Sequence, residues 1–305
     1  MPLRQTSAVV VRSLDYGESD RIVTFVTPDA GRLTGIAKGA RKSRRRFGAA
    51  LELFTFVRLT YFEKPAFDLV RLESAEILAS FPDARRDLVK IAQAAYLVEA
   101  AGRAVQPREP ALPVFRLLVE TLGAVDAEPP DERRLRAFEL RLLALLGYHP
   151  ELRRCARCRR PRPETGRFRV SVQAGGLLCR TCSGEPDWDG AGLAAEPVGA
   201  SAKALAGRKA GEASAGPTPR SGRGGAPAGP PDSRADYVAV SGRLLDRMAD
   251  LLDLAEAHPE RVVPLDLEPA EALEARRLLP RLLASHLGTE FRSLGFLDRL
   301  AHDNP

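Results

Sequence analysis

Two cysteine pairs lie in the middle of the chain, each with the spacing C-x2-C. Cys155 and Cys158 form the first pair, and Cys179 and Cys182 form the second after a spacer of 20 residues. Each pair presents two thiolates at the separation that a tetrahedral zinc ion requires, and the second pair completes its coordination shell. Because four thiolates leave no open position for water, the pattern predicts one structural Zn2+ rather than a catalytic metal. A redox pair or degenerate cysteines are the alternative.

The spacer between the cysteine pairs has the pattern of a β-hairpin. Phe168, Val170 and Val172 alternate with polar residues, residues 175–176 are two glycines that can turn, and residues 177–178 return as a second strand. We therefore expect a compact zinc module with a cysteine pair at each end of a hairpin.

A second cluster, this one of positive charge, lies nearer the N-terminus. Between residues 38 and 46 the chain has six cations and no acid. A cationic loop beside a concave sheet follows the phosphates of a nucleic acid, whereas an isolated charge run more often forms a solvated face. We predict DNA-phosphate contacts for all six. They are Lys38, Arg41, Lys42, Arg44, Arg45 and Arg46.

Two further features accompany this basic run. Phe47, Tyr61 and Phe62 are either platforms for base stacking or ordinary core residues. The acidic segment 15–20 lies between Arg12 and Arg21. It either forms the edge of a binding groove or pairs with these two arginines.

Length, composition and net charge limit the kind of protein that contains the cysteine pairs and the basic run. The 305 residues have a net charge of +6 and are 44% hydrophobic, which suits two or three folded modules with a polyanionic partner. Nucleic acid and anionic membrane both satisfy that charge. The sequence contains no apolar run of membrane-spanning length and no signal-peptide pattern, so we expect a cytoplasmic protein with no membrane partner. A reducing cytosol also argues against two disulfides.

Five short strands are predicted in residues 1–80. Five strands in this length favour an OB-fold β-barrel, with an SH3-like barrel as the alternative. The strands are expected at residues 8–11, 21–27, 32–37, 54–62 and 67–78.

Beyond residue 80 the hydrophobic period becomes helical, which makes the chain an α+β multi-domain protein. Asp83 is the expected N-cap of the first helix, and Pro280 is expected to kink or divide the last one. The predicted division is a barrel at 1–80, the first part of a helical domain at 81–150, the four-cysteine zinc module at 151–187, a disordered Gly/Ala/Pro/Ser-rich linker or insert at 188–236, and the C-terminal part of the helical domain at 237–305.

The pattern of motifs resembles the RecO family of recombination mediators. The N-terminal resemblance consists of the Gly-Glu-x-Asp turn at 17–20, the Thr-x-x-x-Gly turn at 27–31 and the Lys-Gly-x-Arg segment at 38–41. The zinc knuckles resemble those of the members that retain them. Residues 286–288 and 292–297 resemble the C-terminal end of the family.

This resemblance implies a bacterial, nucleoid-associated protein of DNA repair and recombination. Members bind single- and double-stranded DNA, anneal complementary strands, work with RecR, and help RecA displace single-stranded-DNA-binding protein. They use no nucleotide and are not enzymes, in agreement with the absence of a phosphate-binding P-loop motif from this sequence.

Three other functions remain open on the residues alone. A DNA ligase can combine an OB-fold with a four-cysteine zinc site, but no lysine here has the Lys-x-Asp-Gly context of such an enzyme. An OB-fold with zinc can also be an RNA-binding or regulatory module. Finally, the cations can meet an acidic protein in a pure scaffold.

Overall fold

A computed structural model describes residues 2–43, 46–63, 69–183, 237–257 and 265–303. The N-terminal part is a closed five-stranded barrel with the strand order β1-β2-β3-β5-β4, as predicted for an OB-fold. The β3–β5 pair is parallel, whereas the other pairs are antiparallel. The strands are β1 (Leu3–Tyr16), β2 (Asp20–Thr27), β3 (Gly31–Ala37), β4 (Phe56–Phe62) and β5 (Leu69–Ala79).

The barrel interior is filled by apolar side chains that alternate along the strands. Phe25 and Leu59 are fully buried in this core, and Leu72 packs beside them from β5. A Cβ at Gly35 would lie 2.3 Å from Leu72 Cδ2, so only glycine allows the close approach of β3 to β5. This approach closes the barrel.

A β-bulge in β1 changes which side chains face outward. Val10 pairs with Phe25 inside the barrel, the register shifts at Val11, and Arg12 then pairs with Thr24. The extra residue places Arg12 on the outer surface, as bulges commonly re-aim side chains near functional sites.

Helices form the second layer. They lie beyond residue 80, where the hydrophobic period predicts helices. The helices are α1 (Leu88–Ala104), α2 (Leu112–Ala127), α3 (Glu132–Leu145), the four-residue turn α4 (Arg180–Ser183), α5 (Gly242–Ala257), α6 (Pro269–Leu287) and α7 (Arg292–Asp303).

The expected N-cap at Asp83 is wrong, and so is the division of the last helix, which was one of the two outcomes expected at Pro280. The N-cap of α1 is Asp87, whose carboxylate accepts hydrogen bonds from the backbone N–H groups of Val89 and Lys90 at 2.8 and 3.0 Å; Asp83 lies in the preceding turn. Pro280 does not divide α6, which runs as one helix through it. Leu279 and Leu283 are fully buried, and this packing offsets the hydrogen bond that proline removes.

A second, three-stranded sheet joins the cysteine segment to the C-terminal part of the chain. Its antiparallel strands are ordered β7-β6-β8. The predicted hairpin is confirmed as β6 (Arg167–Ser171) and β7 (Gly176–Leu177), whereas β8 (Tyr237–Ser241) was not expected. Strand β8 begins at Tyr237, directly after the expected linker, and it pairs with β6, which precedes that linker in the sequence. The linker itself, at 188–236, lies outside the described residues.

The barrel docks on the helices through the β2–β3 turn. Gly31 has φ +60°, and a Cβ there would lie 2.3 Å from the backbone oxygens of Gln106 and Glu109 in the α1–α2 connection. The backbone N–H of Arg32 donates to Gln106 at 3.0 Å. The turn is braced internally by Thr27, whose hydroxyl donates to the Gly31 carbonyl at 3.0 Å.

The barrel and the second sheet pack against different helices. Helices α1 and α2 contact the barrel, α5 and α6 contact β8, and α3 contacts members of both groups. None of the described helices is long and apolar enough to span a membrane.

Candidate nucleic-acid interface and metal centre

The basic loop that follows β3 is held by the acidic turn between β1 and β2. Asp20 accepts a hydrogen bond from the backbone N–H of Gly39 at 2.8 Å, and Ser19 accepts one from that of Arg41 at 3.0 Å. The hydrogen bond from Gly39, with a second from the Ser19 hydroxyl, lowers the pKa of Asp20 below its ordinary value. The acidic turn therefore positions the cationic loop.

Four of the six predicted DNA-contact residues lie in the described part of this loop, and they fall into two kinds. Lys38 and Lys42 are exposed and make no salt bridge with any described residue. Arg41 lies 3.8 Å from an Asp15 carboxylate oxygen and donates to the Glu18 carbonyl at 3.3 Å. Arg46 donates to the Lys38 carbonyl at 2.7 Å and its guanidinium lies over the Phe47 ring. Arg44 and Arg45 are outside the described residues.

The acidic segment at 15–20 therefore pairs with arginines. Arg21 donates to Asp15 at 3.1 Å and to Glu52 at 2.8 Å, which ties the segment to the β3–β4 connection as well. Hydrogen bonding to Glu52 raises the pKa of Arg21, so this cation is already compensated within the chain.

Beside the basic loop, four strands form an outward face that the helices leave uncovered. Strand pairing places side chains in two rows across β1, β2, β3 and β5. The first row is Arg12, Thr24, Thr34 and Leu69, and the second is Leu14, Ile22, Ile36 and Arg71. All eight residues are at least partly exposed. We call these eight residues, with Tyr16 at the adjoining end of β1, the barrel face.

The barrel face combines apolar surface with unpaired cations. Leu14 is 46% exposed and Tyr16 is 55% exposed, which is unusual for large apolar side chains on a strand. Arg12 and Arg71 are exposed and have no salt bridge to any residue that the structure describes. This mixture suits a ligand with flat apolar groups joined by anionic linkers.

The aromatic residues singled out from the sequence do not belong to this face. Phe47 is 3% exposed and Tyr61 is 4% exposed, and both pack in the barrel core. Burial raises the pKa of Tyr61, which is consistent with that environment. Of the two alternatives, core packing therefore holds for both rings, and Tyr16 is an exposed aromatic near the basic loop.

The four cysteines converge on one point. Their Sγ atoms all lie within 4.8 Å of one another, and the Sγ atoms of Cys158 and Cys179 are 3.4 Å apart. Zn–S bonds of about 2.3 Å in a tetrahedron place sulfurs about 3.8 Å apart, so the cluster fits this geometry. The four residues can bind a metal ion, and the all-sulfur set suits zinc.

Backbone geometry around the first knuckle prepares a thiolate. The N–H of Cys179 donates to Cys155 Sγ at 3.3 Å. Burial opposes ionisation of Cys155, but backbone hydrogen bonds from Cys158, Cys179 and Arg157 lower its pKa to about 6. Thiolates are the metal-binding form of cysteine.

Family comparisons match both the barrel and the segment that contains the cysteines. Residues 1–81, which form the barrel, match the family description "Recombination protein O N terminal", and residues 85–218 match "Recombination protein O C terminal". The chain belongs to the recombination protein O family. This confirms the resemblance inferred from the N-terminal motifs.

Curated recombination protein O relatives carry the name "DNA repair protein RecO". The chain is 45% identical over 177 residues to the one from Anaeromyxobacter dehalogenans (strain 2CP-C), covering 58% of this chain and 69% of the relative. It is 42% identical over 175 residues to that of Myxococcus xanthus (strain DK1622), covering 57% and 70%. For the relative from Geobacter metallireducens the values are 38% over 208 residues, covering 68% and 80%.

The residues that carried the N-terminal resemblance have mainly positioning roles here. Asp20 and Gly39 join the acidic turn to the basic loop, while Thr27 and Gly31 shape the turn that meets the helices. The side chains on the barrel face were largely missed from sequence, although their alternation with buried positions in β1 and β2 carries a signal for them.

Proposed function

We propose that this protein is a non-enzymatic mediator of DNA repair and homologous recombination. In this proposal it binds single- and double-stranded DNA, anneals complementary strands, and acts with RecR to load RecA onto DNA coated with single-stranded-DNA-binding protein. It does so in the bacterial cytoplasm, at the nucleoid. The observation that carries the proposal is the barrel face, an uncovered apolar and cationic surface on an OB-fold of a DNA-repair family.

The barrel face offers the two kinds of contact that single-stranded DNA requires. Tyr16 and Leu14 present apolar surface to bases, and stacking on an aromatic ring contributes about 1–3 kcal/mol per base. Arg12 and Arg71, at opposite ends of the two rows, contact phosphates on either side. Phosphate contacts give affinity without sequence preference, which suits a protein that must act on any gap.

The six cations of the basic loop contribute unequally in this proposal. Lys38 and Lys42 are free to reach phosphates at once. Arg41 and Arg46 must first exchange hydrogen bonds within the chain, so each gains less when DNA binds. Arg44 and Arg45 complete the proposed set on the basis of charge alone.

Annealing needs no covalent chemistry. Two DNA strands repel each other, and a cationic protein surface that displaces their counterions lowers this barrier. Bases held by weak apolar contacts remain free to leave for their complementary partners. Phosphate contacts that hold the strand, together with apolar contacts that release its bases, therefore make the barrel face a suitable annealing surface.

The cysteine cluster has a structural role in this account. We assign one Zn2+ to Cys155, Cys158, Cys179 and Cys182. When bound, the ion ties the two knuckles together at the end of the three-stranded sheet. Since β8 of that sheet comes from the C-terminal part of the chain, the centre stabilises the junction between the two helical segments.

The test is an annealing reaction without nucleotide. Two complementary oligonucleotides are coated with single-stranded-DNA-binding protein, and duplex formation is followed by fluorescence after the protein is added. We expect acceleration that weakens as salt rises, and we expect added RecR to change the rate. No acceleration by folded, zinc-loaded protein contradicts the proposal. An RNA oligonucleotide that competes better than DNA points instead to the RNA-binding alternative.

A further inference from the structure

The zinc module carries a second concentration of positive charge that the DNA-binding proposal does not use. Residues 151–183 contain nine arginines and only two glutamates. Clustered cations repel one another, so such a segment is stable only where counter-charges compensate it or where water and a ligand screen it.

Four of these arginines are neutralised by carboxylates, three of which come from α5 and α6. The three arginines that pair with α5 or α6 lie on the side of the module that faces the helices. The pairs are Arg153 with Asp253, Arg159 with Glu151, Arg162 with Asp246, and Arg167 with Glu274.

Three arginines on the first cysteine knuckle differ from that group. Arg154, Arg157 and Arg160 are exposed and make no salt bridge within the part of the chain that the structure describes. Arg157 donates to the Cys182 carbonyl at 3.3 Å, so it reaches from the first knuckle to the second. We call these three residues the arginine knuckle.

We propose that the arginine knuckle is a second nucleic-acid site, which binds the sugar-phosphate backbone of a strand other than the one on the barrel face. Arginine suits this ligand because its planar guanidinium forms paired hydrogen bonds with phosphate oxygens. The site is built by backbone: Cys155 N–H donates to the Arg160 carbonyl at 2.8 Å, and a bridge joins Arg154 to Pro161. The three arginines therefore extend from one closed turn.

A simpler role for these arginines is to offset the zinc centre, because one Zn2+ with four thiolates has a net charge of −2. The backbone N–H of Cys179 already donates to Cys155 Sγ and so offsets part of that charge. Charge offset also requires proximity to the sulfurs, whereas exposed side chains are screened by water. The two roles differ experimentally, since offset predicts loss of metal and stability when the arginines are removed.

The arginine knuckle and the barrel face lie on modules that contact different helices. The barrel contacts α1 and α2, and the sheet of the zinc module contacts α5 and α6. A single strand on one surface therefore leaves the other accessible. One chain can then hold two DNA strands, which raises the local concentration of one around the other and speeds annealing.

This inference rests on the barrel face being the first DNA site, and a capture experiment separates the two proposals. An oligonucleotide is immobilised, the full-length protein is bound and excess protein washed away. A fluorescent, non-complementary oligonucleotide is then added. The test variant is R154A/R157A/R160A, and the matched control is R116A/R281A/R292A, which removes three exposed arginines from α2, α6 and α7.

We expect the test variant to bind the immobilised strand as the wild type does, but to capture several-fold less of the second strand. Its affinity for the second strand should also depend less on salt, with a log–log slope smaller by about 2, or about 0.7 for each lost phosphate contact. The control should behave like the wild type. Zinc content and the midpoint of unfolding should be unchanged in both variants.

Three results overturn the inference. The test variant captures the second strand normally, it loses zinc or unfolds at lower temperature, or a poly-glutamate peptide binds the knuckle more tightly than DNA does. If instead the barrel face and basic loop are not the first DNA site, the variant R12A/K38A/K42A/R71A binds the immobilised strand as well as the wild type does. This result is distinct from the three above.

Discussion

The carboxylate of Glu99 on α1 accepts a hydrogen bond at 2.9 Å from the backbone N–H of Ser293, 194 positions further along the chain. The N–H of Arg292 donates to the same carboxylate at 3.1 Å, and Arg103 pairs with it from the next turn of α1. Glu99 thereby satisfies two free N–H groups at the N-terminus of α7 and complements its helix dipole. The C-terminal helix is thus fixed to the first helix of the layer.

The Glu99 contact predicts a specific loss when it is removed. Hydrogen bonds to charged groups contribute about 1.5–3 kcal/mol, so Glu99→Ala should lower the free energy of unfolding by on the order of 2–3 kcal/mol. Hydrogen exchange of the Arg292 and Ser293 amides should accelerate. Ser293→Ala is the milder comparison, because it removes the hydroxyl and keeps both backbone donors. Unchanged amide protection in Glu99→Ala contradicts this role.

The same contact predicts a pH dependence. Burial tends to raise the pKa of Glu99, but the hydrogen bonds from Ser293 and Arg292 outweigh it and hold the pKa below its ordinary value. Stability from a lowered carboxyl pKa is present above the unfolded-state value and is lost as pH falls through the folded one. The amides of α7 should therefore lose protection in acid before those of α1.

A buried ion pair within α3 predicts the opposite slope. Glu139 on α3 is fully buried, lies 3.2 Å from Arg136 and accepts the Tyr96 hydroxyl at 2.6 Å. Burial raises the pKa of Glu139 from 4.5 to about 7, although the charge of Arg136 opposes this. A raised carboxyl pKa stabilises the fold at low pH, and the contribution is lost as pH rises through about 7.

Glu139→Gln tests this slope because it keeps the size of the side chain and removes its titration. Between about pH 5.5 and 8, the variant should gain on the order of 2 kcal/mol relative to wild type in free energy of unfolding. Denaturant unfolding at several pH values measures it. Glu120→Gln, on the exposed surface of α2, should leave the pH dependence unchanged. A wild-type-to-variant difference that stays constant with pH is incompatible with the assigned pKa.

Two glycines with the same backbone angle predict different costs. Gly31 and Gly17 both have φ +60°, but a Cβ at Gly31 meets two backbone oxygens at 2.3 Å, whereas one at Gly17 meets nothing within 4 Å. Gly17→Ala should cost about 1 kcal/mol from backbone conformation alone. Gly31→Ala should cost roughly 2–4 kcal/mol, because it also pushes the barrel away from the helices. Equal costs in thermal unfolding would show that the barrel does not dock through this turn.

The zinc assignment predicts a stability effect of its own. Cys179→Ser should reduce bound zinc well below one ion per chain and lower the unfolding midpoint by about 10 °C, since several kcal/mol of metal-binding energy is lost. Elemental analysis and thermal unfolding measure the two quantities. A strong chelator should shift the wild type towards the variant. A variant that is zinc-free, folded and equally stable refutes the structural role.

The barrel and the cysteine hairpin were predictable because their patterns are local. Alternating apolar residues in β2 and β3 indicate the strands to within a few residues. The two C-x2-C pairs indicate a site at which four sulfur atoms converge. The helical character of the chain beyond residue 80 followed equally well from apolar residues at helical spacing. The N-cap of α1 was misplaced because Asp83 and Asp87 both precede the pattern, and only hydrogen bonds distinguish them.

The elements that sequence reasoning missed depend on contacts between distant positions. Strand β8 has only five residues, and residues 184–236 separate it in the sequence from its partner β6. No local sequence pattern therefore predicts this pairing. The barrel face depends on the bulge at Val11 and on the register of four strands. Likewise, charge density alone did not distinguish the exposed Lys38 from Arg46, which is held by the Lys38 carbonyl.

The central claim is that the barrel face and its basic loop bind DNA through phosphates. The most direct measurement is the affinity for a single-stranded oligonucleotide over a series of salt concentrations, for wild type and R12A/K38A/K42A/R71A. R58A/R86A serves as the control, because both arginines are already paired with carboxylates. We predict that the four-residue variant lowers the log–log salt slope by about 3, or about 0.7 per contact, while the control leaves it nearly unchanged. An unchanged slope in the four-residue variant contradicts the claim.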